Sequence, residues 1–468
     1  MKVRLVVAVP EPEARWAAEI LLSVTGLAWS RDPGDGPVVH VGVPGAPEGD
    51  VALPWSGLAP AWTPSQLALA TFEGVPVPCP GGRLTEPTTP HALPAELLRA
   101  AFALLSREEE RLVAERDQWE CFAGTQSRLH ALGVLERPLV NEWAGLLAAR
   151  LRGFPVEPSP LWPHGERFAA LLSHDVDEVR YGSVREGMRL LALAPRSYAM
   201  RAGVTQIARG LGTRGKDPYW NFERWLDSED LRGFTSSFYF CAPRPVRRHE
   251  YDARYRMEDP VEFEHARGTV ADLMRLLVER GRDVGLHGSY LSHLSADDLK
   301  AERTQIESAS GAKAGGTRQH FLRFDVARTF AAQEAAGFDH DSTLGYNEAL
   351  GFRAGIAAPF HPWDASARAP HRLLELPLTV MDGTLFRTLG LSGEAAAAKV
   401  IAHLEAVERV AGLAVLLWHP NSADGSHYPG WWTAWEAALD HLESRGSFVA
   451  HGRAIAERWR SRATSGEL

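Results

Sequence analysis

The feature that most restricts the fold of this chain is a rhythm that sets in after residue 167. Short apolar runs at Phe168–Ser173, Thr235–Phe240, Asp283–His287, Lys313–Arg318, Leu373–Val380, Leu413–Trp418 and Ser447–Ala450 read as strands. Between them, apolar spacings of three and four predict helices over Gly268–Arg280, Ala296–Ser310, Val326–Ala336, Ser392–Val410 and Trp431–Ser444. Strand–helix alternation of this kind argues for an α/β fold with a mainly parallel sheet, open or closed into a barrel. In both forms ligands gather at the carboxyl ends of the strands. Polar residues able to do chemistry follow the predicted strands repeatedly.

Upstream the pattern differs. Residues 1 to 90 alternate short apolar runs (Val3–Val9, Val38–Val43) with Pro- and Gly-rich turns, as in a small α/β unit. From Pro94 to Leu151 the periodicity is helical, with Leu97, Leu98, Ala101, Leu104 and Leu105 on one stripe and a second helix over Pro138–Leu151. The charge run from Arg107 to Arg111 reads as a solvated helix face. The Pro-rich stretch after Phe154 reads as an extended linker. The expected division is a smaller N-terminal α/β domain at 1–153, a linker at 154–166 and a larger domain at 167–468.

Four constellations carry chemistry. Asp175 and Asp177 follow an apolar run at spacing i, i+2, which on a strand puts both carboxylates on one side with Cα atoms roughly 7 Å apart. One can ligate a metal while the other reaches a water beside it. His287 and His293 follow another such strand; zinc–imidazole bonds of about 2.0 Å require the intervening Gly288-Ser-Tyr to curl if both hold one ion. Arg318 ends another strand, where its guanidinium can grip a carboxylate with two hydrogen bonds, and His320 just beyond it competes with His293 for the last metal position. His419 closes the apolar run Leu413–Trp418 directly before Pro420, a good place for a general acid.

In order, these segments resemble the motif series of NodB-homology polysaccharide deacetylases, carbohydrate esterase family four. The matching stretches are His174-Asp-Val-Asp177, His287 through His293, Arg318, Phe338-Asp-His-Asp-Ser-Thr-Leu-Gly, and Leu417-Trp-His419. The resemblance implies a distorted (β/α) barrel of about seven parallel strands. It also implies a divalent metal, zinc, and an N-acetylated glycan as substrate. By it Asp175 is the catalytic base, Asp177 and His287 are metal ligands, Arg318 orients Asp175, His419 is the acid, and Asp341 tunes His419. Val176 between the aspartates and the six-residue spacing of the histidines depart from the common pattern. With Gly351-Phe-Arg-Ala-Gly, Ala101-Phe-Ala-Leu-Leu-Ser-Arg-Glu-Glu and Leu135-Glu-Arg-Pro-Leu-Val-Asn-Glu-Trp, they resemble a divergent branch found with bacterial surface-polysaccharide genes.

Composition narrows the alternatives. A formal charge of -9 offers no basic footprint for nucleic acid. The three cysteines, Cys79, Cys121 and Cys241, form neither a CxxC pair nor a disulfide framework. No apolar stretch is long enough for a signal h-region or a membrane span, so a cytoplasmic location is expected. Trp220, Trp225, Trp363, Trp418 and Trp431 are candidates for lining a sugar cleft. Two rival functions remain open at this level: hydrolysis of another non-peptide C–N bond, and glycan binding by a pseudoenzyme with an incomplete metal site. The sequence leaves the oligomeric state open.

Overall fold

The computed structural model describes residues 1–43, 50–58, 62–181, 217–264 and 266–464, with the isolated positions 188, 204, 207 and 208. The N-terminal region holds a four-stranded parallel sheet in the order β2-β1-β3-β4, from β1 (Val3–Val7), β2 (Trp29–Ser30), β3 (Val38–Val41) and β4 (Val51–Ala52). Helix α1 (Pro12–Ser23) begins at a proline, whose missing N–H costs nothing in a first turn. An antiparallel hairpin follows, β5 (Leu67–Phe72) and β6 (Val75–Pro80), and then α2 (Ala95–Leu105), α3 (Glu108–Leu112), α4 (Arg128–Ala131) and α5 (Leu139–Leu151).

The large sheet is parallel throughout. Its strands are β7 (Ala169–Val176), β8 (Ser236–Cys241), β11 (Asp283–Gly288), β12 (Gly316–Gln319), β13 (His340–Asp341), β16 (Leu374–Glu375), β17 (Val380–Met381), β18 (Leu413–Leu417) and β19 (Phe448–Val449); β9 (Pro260–Phe263) with β10 (Ala266–Thr269), and β14 (Trp363–Asp364) with β15 (Ala369–Pro370), form separate hairpins. The strand order is β16-β13-β12-β11-β8-β7-β18-β17, with β19 beside β7. The two ends of that order are consecutive pieces of one segment, 374–381. Its first half pairs with β13 and its second half with β18. The sheet therefore curls until its edges meet through that segment, giving a distorted barrel. The single strand expected over Leu373–Val380 is two short ones because this segment must serve two neighbours. β13 was not expected, since His340-Asp341 lacks an apolar run.

The helices outside the barrel close as expected: Val270–Glu279, Ala296–Ser310, Thr329–Ala335, Gly393–Glu408 and Trp431–Ser444, joined by Phe222–Asp230 and Gly452–Thr464. Thr269 caps the first of these, its hydroxyl accepting from the Asp272 amide. Among the described residues no helix is long and apolar enough to cross a membrane.

The N-terminal region and the barrel share one continuous hydrophobic core. Trp16 donates its indole N–H to the His361 carbonyl at 3.0 Å and lies 5.2 Å from Trp363. The Val140 amide donates to Gly355 O, Phe352 N–H to Leu135 O, and Ala357 N–H to the Asn141 side chain. Gly351 has φ 133, and a Cβ there would sit 2.5 Å from Leu135 O, so this approach admits only glycine. The charge run does not face solvent. Arg107, Glu109 and Glu110 are at most 5% exposed. Glu110 accepts from Arg107 Nε at 2.8 Å and takes both prongs of Arg353 at 2.9 and 2.7 Å, while Glu109 accepts from Ser127 and from the Arg128 amide. Residues 157 and 159, in the stretch read as a linker, hydrogen bond to Met1, Gly26 and Ala28.

Candidate active site

Alternation along β7 sorts its side chains. Ser173, Asp175 and Asp177 share the inner side of the barrel, and His174 points outward, packed against Trp225, Phe238 and Trp435. Its ring bonds Trp418 O and Glu229, both at 2.9 Å, so His174 is a structural residue. Inside, the fully buried Arg318 donates from all three guanidinium nitrogens. Nη1 donates to Asp175 Oδ1, Nη2 to the hydroxyls of Ser173 and Ser342 (each 2.9 Å), and Nε to Ser342 O at 2.8 Å. Tyr239 backs it at 4.7 Å. Asp175 is thereby fixed through one oxygen while Oδ2 lies 3.7 Å from His287 Nε2.

Asp177, His287 and His320 converge, with one potential ligand atom from each lying within 4.8 Å of the others. Asp177 Oδ1 is 3.2 Å from His287 Nε2 and 3.6 Å from His320 Nε2. His287 Nδ1 is 2.9 Å from the Arg318 carbonyl. A carbonyl only accepts, so Nδ1 carries the proton and the Nε2 lone pair faces the carboxylate. Asp177 Oδ1 is buried without a hydrogen-bond partner. An orphaned carboxylate oxygen beside two imidazole nitrogens fits a divalent cation, and two imidazoles with one carboxylate make a donor set that zinc accepts. Burial opposes the charge on Asp177, but with the imidazoles protonated His320 and then His287 outweigh it and hold its pKa well below the carboxylate range.

Of the two histidines expected to compete for the last metal position, His320 belongs to the converging group. His293 lies outside the converging group, on the turn Ser292–Leu294. Burial and the nearby Arg323 guanidinium push its pKa down to about 4. His320, two residues past Arg318, occupies the place expected for one or the other. It sits on a turn in which Phe321 and Leu322 both have left-handed backbone, φ 57 and 51, a conformation that costs roughly 1–2 kcal/mol for each non-glycine residue.

His419 follows β18 and reaches the same space, its Nε2 3.5 Å from Asp177 Oδ2. Its partner is Asp382, not Asp341. Asp382 Oδ1 holds Nδ1 at 2.7 Å and Oδ2 accepts the His419 amide at 2.8 Å. Burial disfavours the imidazolium, yet Asp382 reverses this and lifts the His419 pKa to about 9. Asp341 is fully buried and spends its oxygens on Gln333 and Thr343. Burial raises its pKa, and it shares a hydrogen bond with Glu375, whose own pKa is pushed well up by burial and by Asp341. Asp382 carries the same signal that marked Asp177, a carboxylate just past an apolar run. Beside the site, Glu178 accepts from Asn421 at 3.3 Å, and burial and Asp177 raise its pKa. The five candidate cleft tryptophans are each no more than 6% exposed and form core.

A family model matches residues 59–154, that of DUF7033, a family of unknown function. No curated protein matches the chain. Among solved structures the chain is similar to a Mycobacterium smegmatis protein assigned as a polysaccharide deacetylase, at 20% identity and TM-score 0.43, covering 64% of this chain and 93% of that one. It is similar to Puue allantoinase at 14% identity and TM-score 0.41, with coverages of 65% and 94%. A Pseudomonas aeruginosa PAO1 protein, also assigned as a polysaccharide deacetylase, aligns at 15% identity and TM-score 0.42, with coverages of 66% and 97%.

Proposed function

We propose that this chain is a metal-dependent deacetylase that hydrolyses the N-acetyl group of an amino sugar in a polysaccharide or its precursor. The observation that carries the reading is the convergence of Asp177, His287 and His320 beside an Arg318-held Asp175 and an Asp382-held His419. Asp177, His287 and His320 would hold a divalent cation, zinc by their donor types, and such an ion would supply acidified water and polarisation of the acetyl carbonyl.

The chain's own groups do the rest. Asp175, with Oδ1 fixed by Arg318, presents Oδ2 to take a proton from the attacking water. As the new C–O bond forms and the C–N bond breaks, acetate and a sugar amine are released. His419 is held with Nε2 facing the site and its pKa high, so it carries the proton that the departing nitrogen needs. The stretches resembling the surface-polysaccharide branch favour a glycan under construction as substrate.

The test uses the full chain and N-acetylglucosamine oligomers. Asp177→Ala should lose the bound metal. Asp175→Asn should keep it while acetate release falls by ~10²–10⁴-fold, the range of a general base. Undiminished acetate release by Asp175→Asn would remove that residue from the chemistry, and wild-type protein free of metal after zinc loading would remove the hydrolase reading.

A further inference from the structure

His320 differs from the other two members of the converging group. Asp177 follows β7 directly and His287 lies within β11, but His320 opens a turn whose next two residues are left-handed. Such a turn persists only where contacts outside it over-determine its shape. Several of those contacts come from the N-terminal region, some 200 residues away in sequence. The Trp119 indole stacks on the Phe321 ring, centroids 4.6 Å apart and planes 25° apart. The Cys121 thiol donates to Phe321 O at 3.4 Å; burial, then Asp117, pushes its pKa up to about 12, so it stays a protonated donor. Glu120 pairs with Arg323, which also donates to Tyr290 O and covers the Tyr290 ring at 3.9 Å. From the barrel, Asn347 Nδ2 donates to the same Phe321 carbonyl at 2.8 Å.

The loop that makes these contacts is itself braced. Asp117 Oδ1 accepts from the amides of both Trp119 and Cys121 at 2.8 Å, and its own amide donates to Cys121 O. Phe321 in turn lies 4.5 Å from the His320 ring, ring centre to ring centre. A chain of contacts thus runs from Asp117 through Trp119 and Phe321 to His320.

We propose that the loop Asp117–Cys121 is a clamp that sets the position of His320 and so the affinity of the site for its divalent cation. This gives a task to part of the stretch matched by the family of unknown function. The proposal rests on the reading of Asp177, His287 and His320 as a metal site. Trp119 is a positioning residue in it, acting on His320 through Phe321.

The experiment compares the full-length wild type with Trp119→Ala, Trp119→Phe and Asp117→Ala. Zinc affinity is read by competition with a chromogenic chelator, and coordination by the visible spectrum of the Co²⁺-loaded protein. Thermal melting in excess chelator reports the metal-free fold. Trp119→Ala should weaken zinc binding by about 10–100-fold, the usual effect of removing a ligand's support, and dim the Co²⁺ bands as one imidazole drifts out of reach. Trp119→Phe keeps a stacking ring and should restore both. Asp117→Ala removes the acceptor that braces the loop and decides the matter if Trp119→Ala does not fold. Wild-type affinity and spectrum in Trp119→Ala, or in Asp117→Ala should it alone fold, would overturn the clamp while leaving the metal site intact. A wild type that binds neither ion overturns both.

Discussion

Asp382 illustrates how much one buried carboxylate can settle. Its side chain is fully buried, and its oxygens are shared among the His419 ring, the His419 amide and the Gly383 amide. The imidazole therefore cannot rotate, and Nε2 is the atom left facing the site. Asp382→Asn preserves the volume but removes the charge that offsets burial of the imidazolium. We expect acetate release to fall by ~10²–10⁴-fold, the worth of a positioned general acid, with metal content unchanged; wild-type turnover in that variant would take His419 out of the proton path. Most of this site was legible from residue type and position. Asp175, Asp177, His287, Arg318 and His419 each follow an apolar run, and a barrel brings strand ends together. The Asp341 assignment came from motif order, and motif order carries no information on which strands touch. Asp382 reaches His419 because β17 pairs with β18, and that pairing exists only once the 374–381 segment closes the barrel.

The elements show the same dependence on closure. Tyr239 of β8 lies under Arg318 and pairs in register with Gly285 of β11. A Cβ on residue 285 would meet the Tyr239 ring at 2.7 Å and the Gly316 carbonyl at 2.8 Å, so the ring fits only because that position is glycine. Gly285→Ala should destabilise the protein by about 1–3 kcal/mol through overpacking, seen as a lower urea midpoint with an unchanged m-value; an unshifted midpoint would mean the barrel wall yields freely. The long helices and the barrel strands β7, β8, β11, β12 and β18 were readable because helical periodicity and strand–helix alternation survive in any context. The two-residue strand β13 was not, nor was the division of the strand expected over Leu373–Val380 into β16 and β17, since that pairing is imposed by neighbours rather than by composition. The charge run from Arg107 to Arg111 misled for the same reason: its partner, Arg353, lies 243 residues from Glu110.

At the scale of the molecule, that partner ties the N-terminal region to the barrel. Arg107, Glu110 and Arg353 are buried at the junction, with one carboxylate facing two guanidiniums. Burial alone would raise the Glu110 pKa, but Arg353 and then Arg107 overcome it and bring it down to about 2, against an ordinary 4.5. The folded state thus holds Glu110 ionised where the unfolded chain has protonated it. The resulting stabilisation is complete above pH 4.5 and is lost as pH falls through about 2, amounting to about 3 kcal/mol at 1.36 kcal/mol per unit. Glu110→Gln keeps the shape and leaves two buried cations short of a counter-charge, so it should cost about 3–5 kcal/mol near neutrality. It should also remove this part of the acid dependence, so that stability measured by urea unfolding falls less steeply below pH 4.5 than in the wild type. Parallel acid limbs for the two proteins would show that Glu110 does not carry the charge that joins the N-terminal region to the barrel.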